Sequence, residues 1–221
     1  MLFGSKITLQ DVEEKRRAFA KALKDFTAAK GRYHHPAPEL SAAKLADCQI
    51  LPNRFAILDK LPLGGVMAEI GVDRGDFSEQ ILTRCKPDKL HLFDIDSDRL
   101  KNPAVTAELG RPGGRVQMHA GDSSTSMQSM PDAAFDMIYI DGDHQYDGVM
   151  RDIAASLPKI KPTGALIFND YAVWSPVGMF HCGVARAVHE FCRDNPWKFR
   201  YLALQSMMYN DVMLVREQDH L

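Results

Sequence analysis

The chain has 221 residues, 45% hydrophobic and 25% charged, with a formal net charge of -2. That length and balance suit one large domain with an ample core, or a domain with an appended segment. Near-neutral charge gives no electrostatic footprint for nucleic acid or an anionic membrane surface, so neither is expected as a partner.

No run approaches the ~18 apolar residues of a membrane span. The start, "MLFGSKITLQDVEEKRR", lacks a sustained apolar core and is no secretory signal. Cys48, Cys85, Cys182 and Cys192 form no C-x-x-C pair and define no disulfide framework. A soluble protein of the reducing cytoplasm is expected.

In chain order, residues 11–30 carry Phe19, Leu23 and Phe26 at helical spacing among many charges, which predicts an amphipathic helix. "GRYHHPAPEL" breaks it with Gly31, Pro36 and Pro38. His34 and His35 are adjacent and point different ways on any regular element, so they read as part of a solvated loop. A short helix is expected around "NRFAILDKL".

From Val66 the texture changes. "VMAEIGV", "KLHLFDI", "RVQMHAGD", "FDMIYID" and "GALIFND" are short apolar runs, each bounded by Gly, Pro or Asp. Helical patterns lie between them: Phe77, Ile81 and Cys85 share one face, as do Tyr146, Met150, Ile153 and Leu157. Fully apolar strands alternating with amphipathic helices indicate a parallel sheet covered on both faces. After the helix "GVARAVHEFCRDN", "KFRYLALQ" and "DVMLVRE" are joined only by "SMMYN", too short for a parallel crossover. The expected fold is α/β, a Rossmann-like doubly wound sheet of seven strands with an antiparallel C-terminal strand. Residues 1–60 are read as an N-terminal helical segment and residues 61–221 as the main domain.

Several motifs fall at strand ends. "AEIGVDRGDF" follows the first strand and opens a helix, and Gly71 and Gly75 permit a tight turn and close backbone approach to a ligand. The G-x-x-x-G spacing matches neither the dinucleotide fingerprint nor a P-loop. Asp94 lies about 20 residues beyond the turn, where an acidic residue pairs with ribose hydroxyls, while Asp96 or Ser97 is assigned to cap the next helix. In "AGDSS", Asp122 or Ser123 either caps a helix or bonds an adenine amino group. "FDMIYIDGDHQYDGVMRDI" puts Asp141, Asp143 and His144 at a strand end, where ligand sites of open α/β sheets lie.

Glu69-x-Gly71-x-x-x-Gly75, Asp94, Gly121-Asp122 and "FDMIYIDGDH" together resemble class I S-adenosylmethionine-dependent methyltransferases over residues 60–217. "IDGDHQYDGVMRDI", "GALIFNDY" and "GVARAVHEF" look most like a small-molecule O-methyltransferase group, with catechol-type enzymes more distant. The resemblance implies that Gly71 and Gly75, supported by Glu69, pass the methionine portion of the cofactor, that Asp94 holds the ribose, and that Asp122 holds the adenine edge, with Ser123 beside it. It also implies that Asp141, Asn169 and Asp170 bind a divalent cation, all-oxygen ligands suited to Mg²⁺. The cation would lower the substrate hydroxyl's pKa, and His144 would take the proton. Relatives often carry two Asp residues where this chain has Asn169-Asp170, which reduces the charge available to a metal.

Asp143 reads as a capping or turn residue. The acceptor is expected to be a small molecule, with a pocket built by the N-terminal segment and "YAVWSPVGMFHCG", where Tyr171, Trp174, Phe180 and His181 either line it or pack. Residues 1–60 are expected to act as a lid or a subunit contact, which leaves a homo-oligomer open. Two rivals stand beside this reading. A metal-dependent hydrolase would use Asp141, Asp143 and His144 directly but leaves the glycine turn and Asp94 without work. A non-catalytic protein would only bind S-adenosylmethionine.

Overall fold

The computed structural model describes residues 7–31 and 35–217. His34 lies outside them, and His35 is exposed and outside any helix or strand. The chain divides into two compact units, Met1–Pro36 and Ala37–Leu221.

The first unit is built on helix α1 (Leu9–Lys30), none of whose residues is buried. Thr8 starts it with a capping box: its hydroxyl accepts from the Asp11 amide at 3.2 Å, and the Asp11 carboxylate accepts from the Thr8 amide at 2.7 Å. Val12, Phe19 and Phe26 remain partly exposed, so the helix owes its form to caps and local propensity more than to burial within this unit.

In the second unit, chain order gives β1 (Gln49–Leu51), α2 (Phe55–Leu58), β2 (Val66–Ile70), α3 (Asp76–Arg84), β3 (Lys89–Asp94), α4 (Pro103–Gly110), β4 (Val116–Ala120) and α5 (Ser123–Gln128). There follow β5 (Phe135–Ile140), α6 (Tyr146–Ser156), β6 (Ile160–Tyr171), β7 (Trp174–Ser175), β8 (Phe180–His181), α7 (Val184–Asp194), β9 (Trp197–Ala203) and β10 (Asn210–Arg216). The main sheet has eight strands in the order β1-β9-β10-β6-β5-β2-β3-β4, one more than the seven expected. The extra strand, β1, runs parallel to β9 at the sheet's edge, so the boundary expected at 60/61 falls inside this unit. β10 is antiparallel to both β6 and β9, as the short β9–β10 connection requires. β7 and β8 form a separate hairpin.

The apolar strands bury both faces. On one side Met127 of α5, Val149 and Ile153 of α6, and Val188 and Phe191 of α7 pack against Ile138, Leu166 and Phe168. On the other, Leu58 of α2, Ile81 of α3 and Val105 of α4 pack against Leu92, Met137 and Ile167. A doubly wound sheet results. The four cysteines are free, and no helix among the described residues is long and apolar enough to cross a membrane.

The first core includes a histidine pair. His91 of β3 is buried, with its Nδ1 2.9 Å from Nε2 of His119 on β4. Burial lowers the His91 pKa to about 4, helped by His119 and Lys89. The unfolded imidazole, with its ordinary value near 6.5, binds a proton that the fold resists. Stability is therefore complete above about pH 6.5 and is lost as the pH falls toward about 4. His91→Leu should flatten this loss by about 1–3 kcal/mol, partly screened by solvent. Urea midpoints at pH 7 and pH 4.5 check it, and parallel drops in wild type and variant would refute it.

Candidate active site

The two middle strands set the geometry. β2 ends at Ile70, whose carbonyl accepts from the Asp141 amide at 2.7 Å, while the Gly71 amide donates to the Phe93 carbonyl at 2.8 Å. Gly71 has φ 82°, and a Cβ there would lie 2.1 Å from the Asp141 carbonyl oxygen. Only glycine lets the ends of β2 and β5 approach this closely. Gly75, with φ 88°, opens α3 in the left-handed region.

Asp94, at the end of β3, braces this turn. One carboxylate oxygen accepts from the amides of Val72 at 2.7 Å and Asp73 at 3.0 Å, and the other from Asp96 at 2.8 Å. The expected cap by Asp96 or Ser97 does not form: Asp96 precedes a short 3-10 turn but makes no side-chain capping bond. Glu69 is buried one residue before the strand end, where it accepts from the Ser78 hydroxyl at 2.5 Å. Burial raises its carboxyl to about 8, with the Ser78 hydrogen bond opposing.

At the end of β4, Asp122 caps α5. Its carboxylate accepts from the Thr125 amide at 2.8 Å and the Ser124 hydroxyl at 2.6 Å. These bonds lower its pKa to about 2. Ser123 instead donates to Asp152 of α6 at 2.7 Å. Asp152, absent from the sequence reading, is buried and lines the cavity.

That cavity, about 720 Å³, lies over the carboxyl ends of β2–β5 and runs between Arg54, Phe77, Asp94, Gly121, Asp141 and Asp152. Its size suits a small-molecule ligand. Asp94→Ala would remove both a cavity carboxylate and the acceptor of three amides. It should weaken binding of a ligand seated in the cavity by about 1.5–3 kcal/mol and also lower the unfolding midpoint, whereas Asp94→Asn should keep much of the stability. Calorimetry and denaturation on the two variants separate the effects.

The acidic edge beside the cavity centres on His144. Its Nε2 is a buried atom 3.4 Å from both Asp141 Oδ1 and Asp170 Oδ2. The far carboxylate is delivered by a bulge: Val212 pairs with Phe168 and Asn210 with Tyr171, so Asn169 and Asp170 together face Asp211. Such an extra residue re-aims side chains, and Asp170 takes φ 50° in the process. Burial alone would lower the imidazole's pKa, but Asp141, Asp170 and Asn169 outweigh it and the net shift is upward. Burial raises both carboxyls, and His144 draws them back down.

This arrangement bears on the expected cation. The oxygens of Asp141, Asn169 and Asp170 gather around the imidazole, and the Asn169 amide nitrogen is committed to Asp211 at 3.0 Å. His144 stands where a cation would need to coordinate. Among the described residues, no group of three or more His, Cys, Asp or Glu side chains is placed to hold a metal ion. As arranged, these residues do not fit Mg²⁺.

Asp143 does not join the pair. It accepts from the Gln145 amide at 2.9 Å, lies 3.7 Å from Arg151, and fits because Gly148 has no Cβ. This is the turn role expected of it, and it leaves a three-residue hydrolase centre unassembled. Behind the edge, buried Asp211 accepts from the Tyr139 hydroxyl at 2.7 Å as well as from Asn169 and Gln205. Tyr171 packs: its hydroxyl bonds His189, whose other nitrogen bonds the Pro38 carbonyl at 2.6 Å. Trp174, Phe180 and His181 belong to the β7–β8 hairpin.

A family model described as a methyltransferase domain matches residues 68–171. Among curated proteins, none matches the sequence. A solved structure from Corynebacterium glutamicum is similar at 15% identity and TM-score 0.56, with 95% of this chain and 99% of that chain covered. A S-adenosylmethionine-dependent methyltransferase from Methanosarcina mazei gives 14% identity, TM-score 0.55, and coverage of 76% and 99%. An O-methyltransferase family protein from Burkholderia thailandensis gives 13% identity and TM-score 0.54, with 75% of this chain and 56% of that one covered. Identities this low speak for the fold alone. The matched span, the sheet order and the crevice at the strand ends agree on a Rossmann-like α/β fold of the kind methyltransferases have.

Proposed function

We propose that the protein transfers a methyl group from S-adenosylmethionine to a hydroxyl of a small molecule, with His144 as the general base. The observation that carries this reading is the buried His144 Nε2 set 3.4 Å from each of two carboxylates, beside a cavity bordered by Gly71 and Asp94. When bound, S-adenosylmethionine supplies an electrophilic methyl group on a sulfonium. An alcohol or phenol must lose its proton to attack well, whereas a neutral amine already presents a lone pair. A buried imidazole backed by carboxylates therefore favours an oxygen acceptor.

In this reading Gly71 and Gly75 let the backbone pass the cofactor's methionine portion, Asp94 holds the ribose, and Asp122 with Ser123 borders the adenine. His144 removes the hydroxyl proton, and Asp141 and Asp170 stabilise the resulting imidazolium. No step passes through a metal. Cytoplasmic location and a small acceptor remain part of the proposal, the latter supported by the net charge of -2. The hydrolase alternative is not favoured, since the Asp143 carboxylate is taken up by the Gln145 amide and Arg151.

The test is a panel of hydroxyl and amine acceptors assayed for S-adenosylhomocysteine release, with and without a chelator. Hydroxyl-selective, chelator-resistant turnover is expected. Amine-only turnover would overturn the base assignment, and chelator sensitivity would restore the cation.

For the N-terminal unit we propose a lid or subunit contact, supported by the partly exposed Val12, Phe19 and Phe26. Deleting residues 1–36 should leave a cooperatively folding protein that still binds cofactor but loses acceptor selectivity or its oligomeric state. Retention of both would refute the role.

A further inference from the structure

Asp211 of β10 is fully shielded from solvent and touches neither the cavity nor the imidazole. Both of its oxygens are nevertheless taken by donors. Oδ2 accepts from the Tyr139 hydroxyl at 2.7 Å, and Oδ1 accepts from the Asn169 amide nitrogen at 3.0 Å and from Gln205. Tyr139 is itself locked. Its ring stacks on Phe77 with centroids 4.1 Å apart, and its hydroxyl is hydrogen-bonded to Arg54, whose guanidinium carbon lies 4.7 Å from the Phe77 centroid. A carboxylate held at both oxygens in a buried network is not free to turn.

This hold decides which way Asn169 points. A primary amide has a donor at one end and an acceptor at the other, whereas a carboxylate only accepts. With its nitrogen on Asp211, Asn169 presents its oxygen on the other side, where it hydrogen-bonds the His144 imidazole. The carboxylate oxygens of Asp141 and Asp170, each 3.4 Å from Nε2, are acceptors as well. The ring is therefore met at this edge by acceptors, which favours a ring N–H there and a single ring orientation. A donor at position 211 would let the Asn169 amide turn over and set N–H against N–H. A carboxylate at position 169 would instead meet Asp211 as a like charge.

We propose that Asp211 is a positioning residue for His144: by holding the Asn169 amide nitrogen it aims the amide oxygen at the imidazole and fixes the ring for proton removal. The catalytic part rests on the general-base reading above, whereas the hold on the ring can be measured without any methyl acceptor.

The readout is the His144 ring N–H in nitrogen-15 NMR spectra of the full chain, identified by its loss in His144→Ala. In the wild type this proton should be protected from exchange with solvent. Asp211→Asn keeps the shape but turns a donor toward Asn169, so exchange of the ring proton should speed up by about tenfold or more, the worth of one hydrogen bond. Backbone amides of β5 and β10 should keep their exchange rates, and affinity for S-adenosylhomocysteine should stay within about threefold. Adding Asn169→Asp to Asp211→Asn rebuilds the pair with donor and acceptor exchanged, again with an oxygen toward the imidazole, and should recover the protection. With a hydroxyl acceptor from the panel above, turnover should fall about 10- to 100-fold in Asp211→Asn, the cost of misplacing a reacting group, and recover in the double variant.

A general structural role would instead speed backbone exchange throughout both strands. Should Asp211→Asn fail to fold, Asn169→Ala tests the same contact from its other end. An unprotected ring proton in the wild type, or unchanged protection in a folded Asp211→Asn or Asn169→Ala, would overturn the proposal. A freed ring proton with unchanged turnover would uphold the hold on the ring and refute the base reading on which its catalytic part rests.

Discussion

Replacing His144 with alanine is expected to lower turnover by about 10²–10⁴-fold, the usual worth of a general base, while affinity for S-adenosylhomocysteine stays within about twofold. The split follows from geometry. His144 contacts Asp141 and Asp170 at the end of β5 and the bulge of β6, whereas the residues assigned to the cofactor lie along the ends of β2, β3 and β4. Removing the imidazole also leaves two carboxylates facing each other without the ring that separates them, so a modest loss of stability should accompany the rate loss. His144→Gln, which keeps a hydrogen-bonding side chain without a useful base, should recover stability more than rate. The residual rate of either variant should rise with pH as hydroxide replaces the missing base. Single-turnover rates with an identified acceptor, alongside calorimetry, decide the matter. Unchanged turnover in His144→Ala would remove this residue from the chemistry.

Gly71→Ala should be the most damaging single-methyl change in the site. The new Cβ would meet the Asp141 carbonyl oxygen at 2.1 Å on a backbone with φ 82°. Backbone strain alone costs about 1–2 kcal/mol, and the contact cannot relax without separating β2 from β5. A total above about 4 kcal/mol is expected, which is exceptional for one substitution. Gly121→Ala is the natural control, since it has φ 115° with nothing within 4 Å of the added carbon. It should show only the backbone cost. Denaturant midpoints for the pair test this, and equal losses would mean that the strand ends can yield.

The strands that dominate the sheet were legible because each is an apolar run closed by Gly, Pro or Asp, and the five-residue link "SMMYN" dictated the antiparallel ending. β1 was not legible: "QIL" is too short to carry a period, and Ile50 is exposed. The glycine turn and Asp94 could be placed at a cavity, and His144 at its edge, because strand ends gather such residues in these sheets. Asp122 could be read only as an alternative, and its hydroxyl and amide partners in α5 decide for a cap. Asp152 and Arg54 were missed for a different reason. Asp152 adjoins the apolar stripe of α6, and its partner Ser123 is 29 residues away. Arg54 gains meaning only when Phe77 folds beneath it. Neither has a local pattern, because their roles arise from contacts across the sheet. The metal set failed for a related reason: spacing along the chain could not show that His144 would fill the space its three oxygens surround.

The bonds from Asp94 to the amides of Val72, Asp73 and Asp96 carry a kinetic implication. Because they lie within the chain, folding itself fixes the glycine turn, and the conformational entropy of that loop is spent before any donor arrives. Capture of the nucleoside should then resemble docking onto a rigid shelf, with one relaxation whose rate rises linearly with donor concentration instead of levelling off at a loop-closing step.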